Sequence, residues 1–135
     1  MADIGTTLSD RFDTAALPLA IGDLIAILIV LTIGMIEHGT LVDPVHVVLV
    51  YLPFVIGWFL AAPIVGAYAP GAAETAKAAI PLAIRAWVPA SVIGYLLRWS
   101  DLFPGGLDPT FIAITFVLIA VLLGVWRWLF FKLFR

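Results

Sequence analysis

Four long apolar runs, separated by short polar or Pro/Gly-rich breaks, set the pattern of this 135-residue chain. The first, Leu17–His38 (LPLAIGDLIAILIVLTIGMIEH), carries a single charge, Asp23, before Glu37 and His38 close it. A run of that length and apolarity spans a bilayer as a helix. Asp13 or Thr14 can cap it, and Pro18 falls in its first turn, where a missing N–H costs little. Asp43-Pro44 then opens a second run, since Asp accepts from orphan amides and Pro fits the first helical position. That run reaches Ala69, ahead of Pro70-Gly71, and at 26 residues would be ~39 Å long. It exceeds a hydrocarbon layer of ~30 Å, so tilt or bending at Pro53 and Pro63 is expected. A third run covers 78–99, with Pro81 and Pro89 inside it, and Asp108-Pro109 opens a fourth, to Phe131.

The pattern therefore predicts an all-α integral membrane protein of four transmembrane helices, at about 15–38, 44–69, 78–99 and 109–131. Residues 1–14 read as a short cytoplasmic lead-in and 132–135 as a basic cytoplasmic tail. The order of motifs repeats. Pro18-Leu19-Ala20-Ile21 returns as Pro81-Leu82-Ala83-Ile84, Asp43-Pro44 as Asp108-Pro109, and Gly57-Trp58 more loosely as Gly124-Val125-Trp126. The repeating unit is a two-span hairpin, so both copies enter the membrane from one side. Two parallel helical-hairpin repeats, related by an axis along the membrane normal, are the expected architecture.

Composition confirms the solvent. Hydrophobic residues make up 64% of the chain and charged ones 12%, against ~45–50% and ~25% in soluble domains. Lipid is the only solvent that accommodates so much apolar surface. A net charge of −2 points to no nucleic-acid partner, and the absence of cysteine removes disulfides and thiol chemistry. Residues 1–16 hold three acids and one Arg, the reverse of a signal peptide's basic start, so the first span is expected to persist. Arg11, Lys77, Arg127, Lys132 and Arg135, with Arg85 nearby, flank one side of the proposed membrane. Arg98 stands on the other with Glu37, Asp43, Asp101 and Asp108. Positive charge inside then places both termini in the cytoplasm of a multi-pass cell-membrane protein.

Two groups of polar residues fall within or beside the apolar layer. Asp23 and Arg85 occupy nearly equivalent places in the two repeats, and Arg127 reaches the same depth from the fourth span. Glu37, His38 and Arg98 form an outer group. Asp23 and Glu37 are 14 residues apart, which puts them on nearly one helix face, ~21 Å apart along the axis. An intramembrane charge facing lipid costs ~2.5–3.5 kcal/mol on insertion scales, so inward pairing is expected. Asp23 within reach of Arg85 or Arg127 could be a working ion or proton site, or a structural pair that fixes helix register. Arg127 alone could be an interfacial snorkeller, and Glu37, His38 and His46 could be solvated boundary residues. Two histidines beside Glu37 raise the thought of a metal, but no ligand spacing supports one. Trp58, Trp87 and Trp99 read as packing or belt residues, and Gly34, Gly57, Gly66 and Gly94 as helix-packing points. No phosphate loop, nucleophile motif or nucleotide fingerprint is present. No catalytic residue, enzymatic activity, cofactor or metal is therefore assigned.

These residues resemble a known family. Asp23, Gly34 with His38, Pro53-Phe54-x-x-Gly57, Trp87 with Gly94 and Arg98, Phe111, and Gly124-Val125-Trp126-Arg127 are similar to motifs of small four-span membrane proteins. That prokaryotic family, of haloarchaea and actinobacteria, is known as a domain of unknown function, and the similarity covers about residues 17–128. Met35 stands where the resemblance leads one to expect a basic residue. The resemblance implies four spans and supplies no activity or ligand. Two function classes remain: small-solute or ion/proton-coupled transport or permeation, and a structural or accessory role in which the charges only fix packing. The expected partners are the lipid bilayer and a second copy in a homo-oligomer.

Overall fold

The computed structural model describes residues 16–69, 71–72 and 74–134. Four helices account for most of them: α1 Leu17–Glu37, α2 Pro44–Val65, α3 Ala76–Trp99 and α4 Pro109–Phe134. All four are long and apolar enough to cross a membrane, and the described residues contain no strand. The chain is an all-α, multi-pass bundle.

Local chemistry fixes the helix ends. The Asp43 carboxylate accepts from the Val45 amide at 3.1 Å, and Asp108 accepts from Thr110 at 3.1 Å. Both Asp-Pro pairs thus open helices. Thr75 caps α3 by accepting from Ala78 at 3.2 Å, which starts that helix two residues before the expected 78. The proposed caps Asp13 and Thr14, and the whole 1–14 segment, lie outside the described residues. α2 stops at Val65 rather than at 69. Gly66 takes φ 86°, and the Ala67 amide bonds back to the Ala62 carbonyl at 2.9 Å. Glycine adopts this left-handed conformation without a Cβ clash, and the six-to-one bond satisfies a terminal carbonyl. The turn sends Ala67 and Tyr68 back against the bundle, where both are buried. At the other extreme α4 continues through Lys132 to Phe134, so helix occupies most of the segment expected as a basic tail; Arg135 lies outside the described residues.

The helices alternate in direction, so the 38–43 and 100–108 connections share one end of the bundle, here the hairpin end. The start of α1, the end of α4 and the 66–75 connection share the other, here the base. α2 and α3 pack most extensively, α4 joins α3 to α1, and α1 touches α2 only slightly. The α2–α3 seam rests on small residues. Ala79, Ala83, Ala86 and Ala90 form a buried stripe at helical spacing, Gly57 lies directly against the Ala90 carbonyl, and Gly94 against the Phe54 ring. In lipid, where burial of apolar surface gives no drive between helices, such close approach supplies the packing energy. α1 meets α4 through Gly22, which lies under the Trp126 indole, and the indole N–H donates to the Leu19 carbonyl at 3.1 Å. The opposite face of α1 presents Leu17, Ile21, Ile25, Ile29, Ile33 and Ile36 outward, an aliphatic stripe suited to lipid.

Candidate functional site

Asp23, in the second turn of α1, is completely buried and faces the interior of the bundle. Its partner is Arg127 of α4, which is also completely buried. The guanidinium grips the carboxylate with two bonds, Nε to Oδ1 at 3.2 Å and Nη2 to Oδ2 at 2.6 Å. Its remaining nitrogen, Nη1, donates to the Ala79 carbonyl in the first turn of α3 at 2.7 Å. Tyr68 donates its hydroxyl to Asp23 Oδ2 at 2.6 Å, and the Trp58 indole of α2 donates to the Tyr68 oxygen at 2.8 Å. One chain of hydrogen bonds, charge-assisted around Asp23 and Arg127, therefore links all four helices near the base. Burial, and then the neighbouring carboxylate, push the Tyr68 phenol above its ordinary value, so it stays protonated and remains a donor. No buried side-chain nitrogen or oxygen among the described residues lacks a partner. The network is closed and saturated.

Arg85 takes no part. It lies on the outward face of α3 with Pro81, Val88 and Val92, and among the described residues it makes no ion pair. The counter-charge to Asp23 is Arg127 and not Arg85. Arg127 is correspondingly not a snorkelling side chain. Tyr68 and Trp58 are members of the network that sequence reading did not assign to it. The signal was there: Gly66 is a helix stop, and continuing the helix to Ala69 hid the turn that brings Tyr68 inward.

The hairpin end is different. Glu37, His38 and Arg98 line one cavity of about 510 Å³, to which His46, Asp108 and Thr110 also contribute. They surround it without joining: no ion pair links the three among the described residues. Glu37, His38 and Asp108 are exposed at the rim, whereas Arg98 is only 6% exposed. Its Nε donates to the Gly106 carbonyl at 3.1 Å, and its guanidinium lies 3.9 Å from the centre of the Phe111 ring. Gly105, at φ 104°, packs directly against that guanidinium. Lower walls come from Val30, Leu31, Val50, Ile114 and Leu118. Thr115, bonded to the Tyr95 hydroxyl at 2.8 Å, sits at the same level. Gly34 lines this space, and a side chain begun there would meet no neighbouring helix within 4 Å, unlike Gly57 and Gly94. No group of three or more His, Asp or Glu side chains among the described residues is arranged to hold a metal ion.

The cavity does not reach the Asp23 network: neither Asp23, Tyr68 nor Arg127 is among its walls. Chemically, the base offers a dry, fully paired charge cluster, and the hairpin end a space accessible to a ligand. Neither the curated proteins nor the solved structures provide a match to the chain. The family described as a protein of unknown function (DUF3054) matches residues 20–130, a stretch that contains both the Asp23 network and the cavity; the chain belongs to the DUF3054 family.

Proposed function

We propose that this protein is a small-solute permeation or transport protein of the cell membrane, seen with its pathway open at the hairpin end and shut at the base. The observation that carries the reading is the cavity at the hairpin end, which among the described residues stops short of the Asp23 network. Solute would enter between α1, α2 and α4, and the Asp23–Arg127–Tyr68 network would be the closed gate beneath. The Lys/Arg bias puts the open end outside. Both Asp23 oxygens are occupied, which supports a gate in preference to a proton-coupling site. The same saturation favours a second reading, in which the network is a permanent structural clasp and the protein an accessory membrane component.

The chain has no cysteine, so single cysteines separate these readings. Thr115→Cys sits in the cavity and Leu123→Cys in the sealed core below it. In intact cells a membrane-impermeant thiol reagent should modify the first and spare the second. Adding Asp23→Asn should open Leu123→Cys to the reagent, in the protein that remains folded, if the network is a gate. A folded Thr115→Cys protein that never reacts refutes the open cavity. Leu123→Cys that stays protected in folded gate variants leaves the accessory role standing.

A further inference from the structure

We infer that the cavity at the hairpin end takes an anionic head group on an apolar body, with Arg98 holding the head. The inference rests on the cavity being a ligand site, as proposed above, and adds the class of ligand. Among the described residues, Arg98 is the only charged side chain lining the cavity that is buried. One carbonyl, from Gly106, satisfies its Nε, and the Phe111 ring covers one face. Neither Nη group bonds to another protein atom among the described residues, yet no sealed polar atom among them is left without a partner. Gly105 lies beside both Nη groups, and Arg98 is part of the cavity wall, so the unsealed Nη edges are within reach of a ligand held there.

A buried guanidinium with two free N–H edges is matched by a carboxylate or phosphate, which accepts from both at once. The acids Glu37 and Asp108 do not fill this role. They are exposed at the rim and lie beyond ion-pair distance of Arg98. Below the guanidinium the walls are aliphatic, from Val30, Leu31, Val50, Ile114 and Leu118. A volume of about 510 Å³ falls in the ~300–1,000 Å³ range of small-molecule sites, which bind an apolar body through walls and orient it with a few polar groups. The head could belong to a fatty acid or to a lipid phosphate, and both present the same chemistry to Arg98.

The test uses the full chain purified in a non-ionic detergent, with octanoate, octyl phosphate, octanol and octylammonium as probes and calorimetry as the readout. Octanoate or octyl phosphate should bind at least tenfold more tightly than octanol. Preference for one acid over the other identifies the head group. Arg98→Gln should lose that preference, and Arg98→Lys should keep part of it. Gly34→Leu provides an independent variant: its side chain projects into open cavity space, so it should abolish binding while the protein remains folded. Equal binding of octanol, tighter binding of octylammonium, or unchanged octanoate affinity in folded Arg98→Gln overturns the inference. Anion binding without uptake into proteoliposomes would overturn the transport reading and leave the ligand class intact. Uptake of neutral solutes only would do the reverse.

Discussion

The two ends of the bundle solve the same problem in opposite ways. Each buries an arginine in an apolar environment, Arg127 at the base and Arg98 at the hairpin end. Arg127 has its charge matched by Asp23 and all three of its nitrogens bonded. Arg98 has one carbonyl, one aromatic face and open space. A buried charge is tolerated either by complete pairing or by access to something that can pair with it. The base follows the first course and is closed; the hairpin end follows the second and borders a cavity. The contrast separates a charge paired within the fold from one left beside open space.

The largest effect should come from breaking the closed end. Asp23→Asn or Arg127→Gln removes one member of a buried pair and strands the other, at a cost of about 3–5 kcal/mol. Thermal unfolding in detergent should show a sharp loss of folded protein for either change. The double substitution Asp23→Leu/Arg127→Met should recover much of it, because removing both charges leaves none uncompensated. If the single variants melt like the wild type, the network is not what holds the base together.

Next comes Tyr68→Phe. It deletes a hydrogen bond to an ionised carboxylate, worth about 1.5–3 kcal/mol, and leaves the Trp58 indole without its acceptor. It should also change the response to alkali. The Tyr68 phenol is raised in the folded state, so the stability linked to it is complete below tyrosine's ordinary value of about 10 and is lost as pH rises beyond that. The wild type should therefore lose more stability than Tyr68→Phe between pH 9 and pH 11 (about one unit either side of that value). Parallel pH profiles would mean that the Tyr68 phenol is not raised above its ordinary value in the fold.

Glycines sharpen the same contrast. Adding a methyl at Gly57 drives it into the Ala90 carbonyl, and overpacking of this kind costs about 1–3 kcal/mol. Gly34 borders the cavity and has open space before it, so Gly34→Ala should change stability by no more than about 0.5 kcal/mol. Comparable losses in melting temperature for the two would contradict the open space at the hairpin end.

How much of this was legible from the chain follows from what a helix encodes. The four spans were legible because lipid demands continuous apolar runs, and both Asp-Pro caps act as their chemistry requires. An inward Asp23 was legible because exposure to lipid is costly. The choice between its two candidate partners, Arg85 and Arg127, was not, since sequence gives depth along a helix but not the direction in which a side chain faces its neighbours. In the alignment read from the sequence, which matches Pro18 to Pro81, Asp23 falls opposite Ala86, and Ala86 is buried. Arg85 is one residue away, or ~100° around the helix, enough to turn it outward. Tyr68 was hidden by a different cause: the decision between helix and turn rested on one glycine. The unpaired state of Arg98 depends on the 104–106 loop, whose path around the guanidinium no periodicity announces.

The smallest effect should come from that outward arginine. Arg85 begins ~13 Å along the axis from Ala76, within the apolar length of α3, where an unpaired charge facing lipid is costly. Helical side chains, however, lean towards the N-terminal end of their helix, and for α3 that end is the base, where Lys77 is exposed on the same face. A long guanidinium stem can lie along the aliphatic surface and bring its head to the headgroup region. Arg85→Gln should therefore alter the folded stability by less than about 0.5 kcal/mol, and combining it with Asp23→Asn should not rescue the latter. A double-mutant cycle on melting temperature checks both statements. Non-additivity between Arg85 and Asp23 would place them in one network and break the distinction drawn here, whereas additivity confines the load-carrying charge to Arg127.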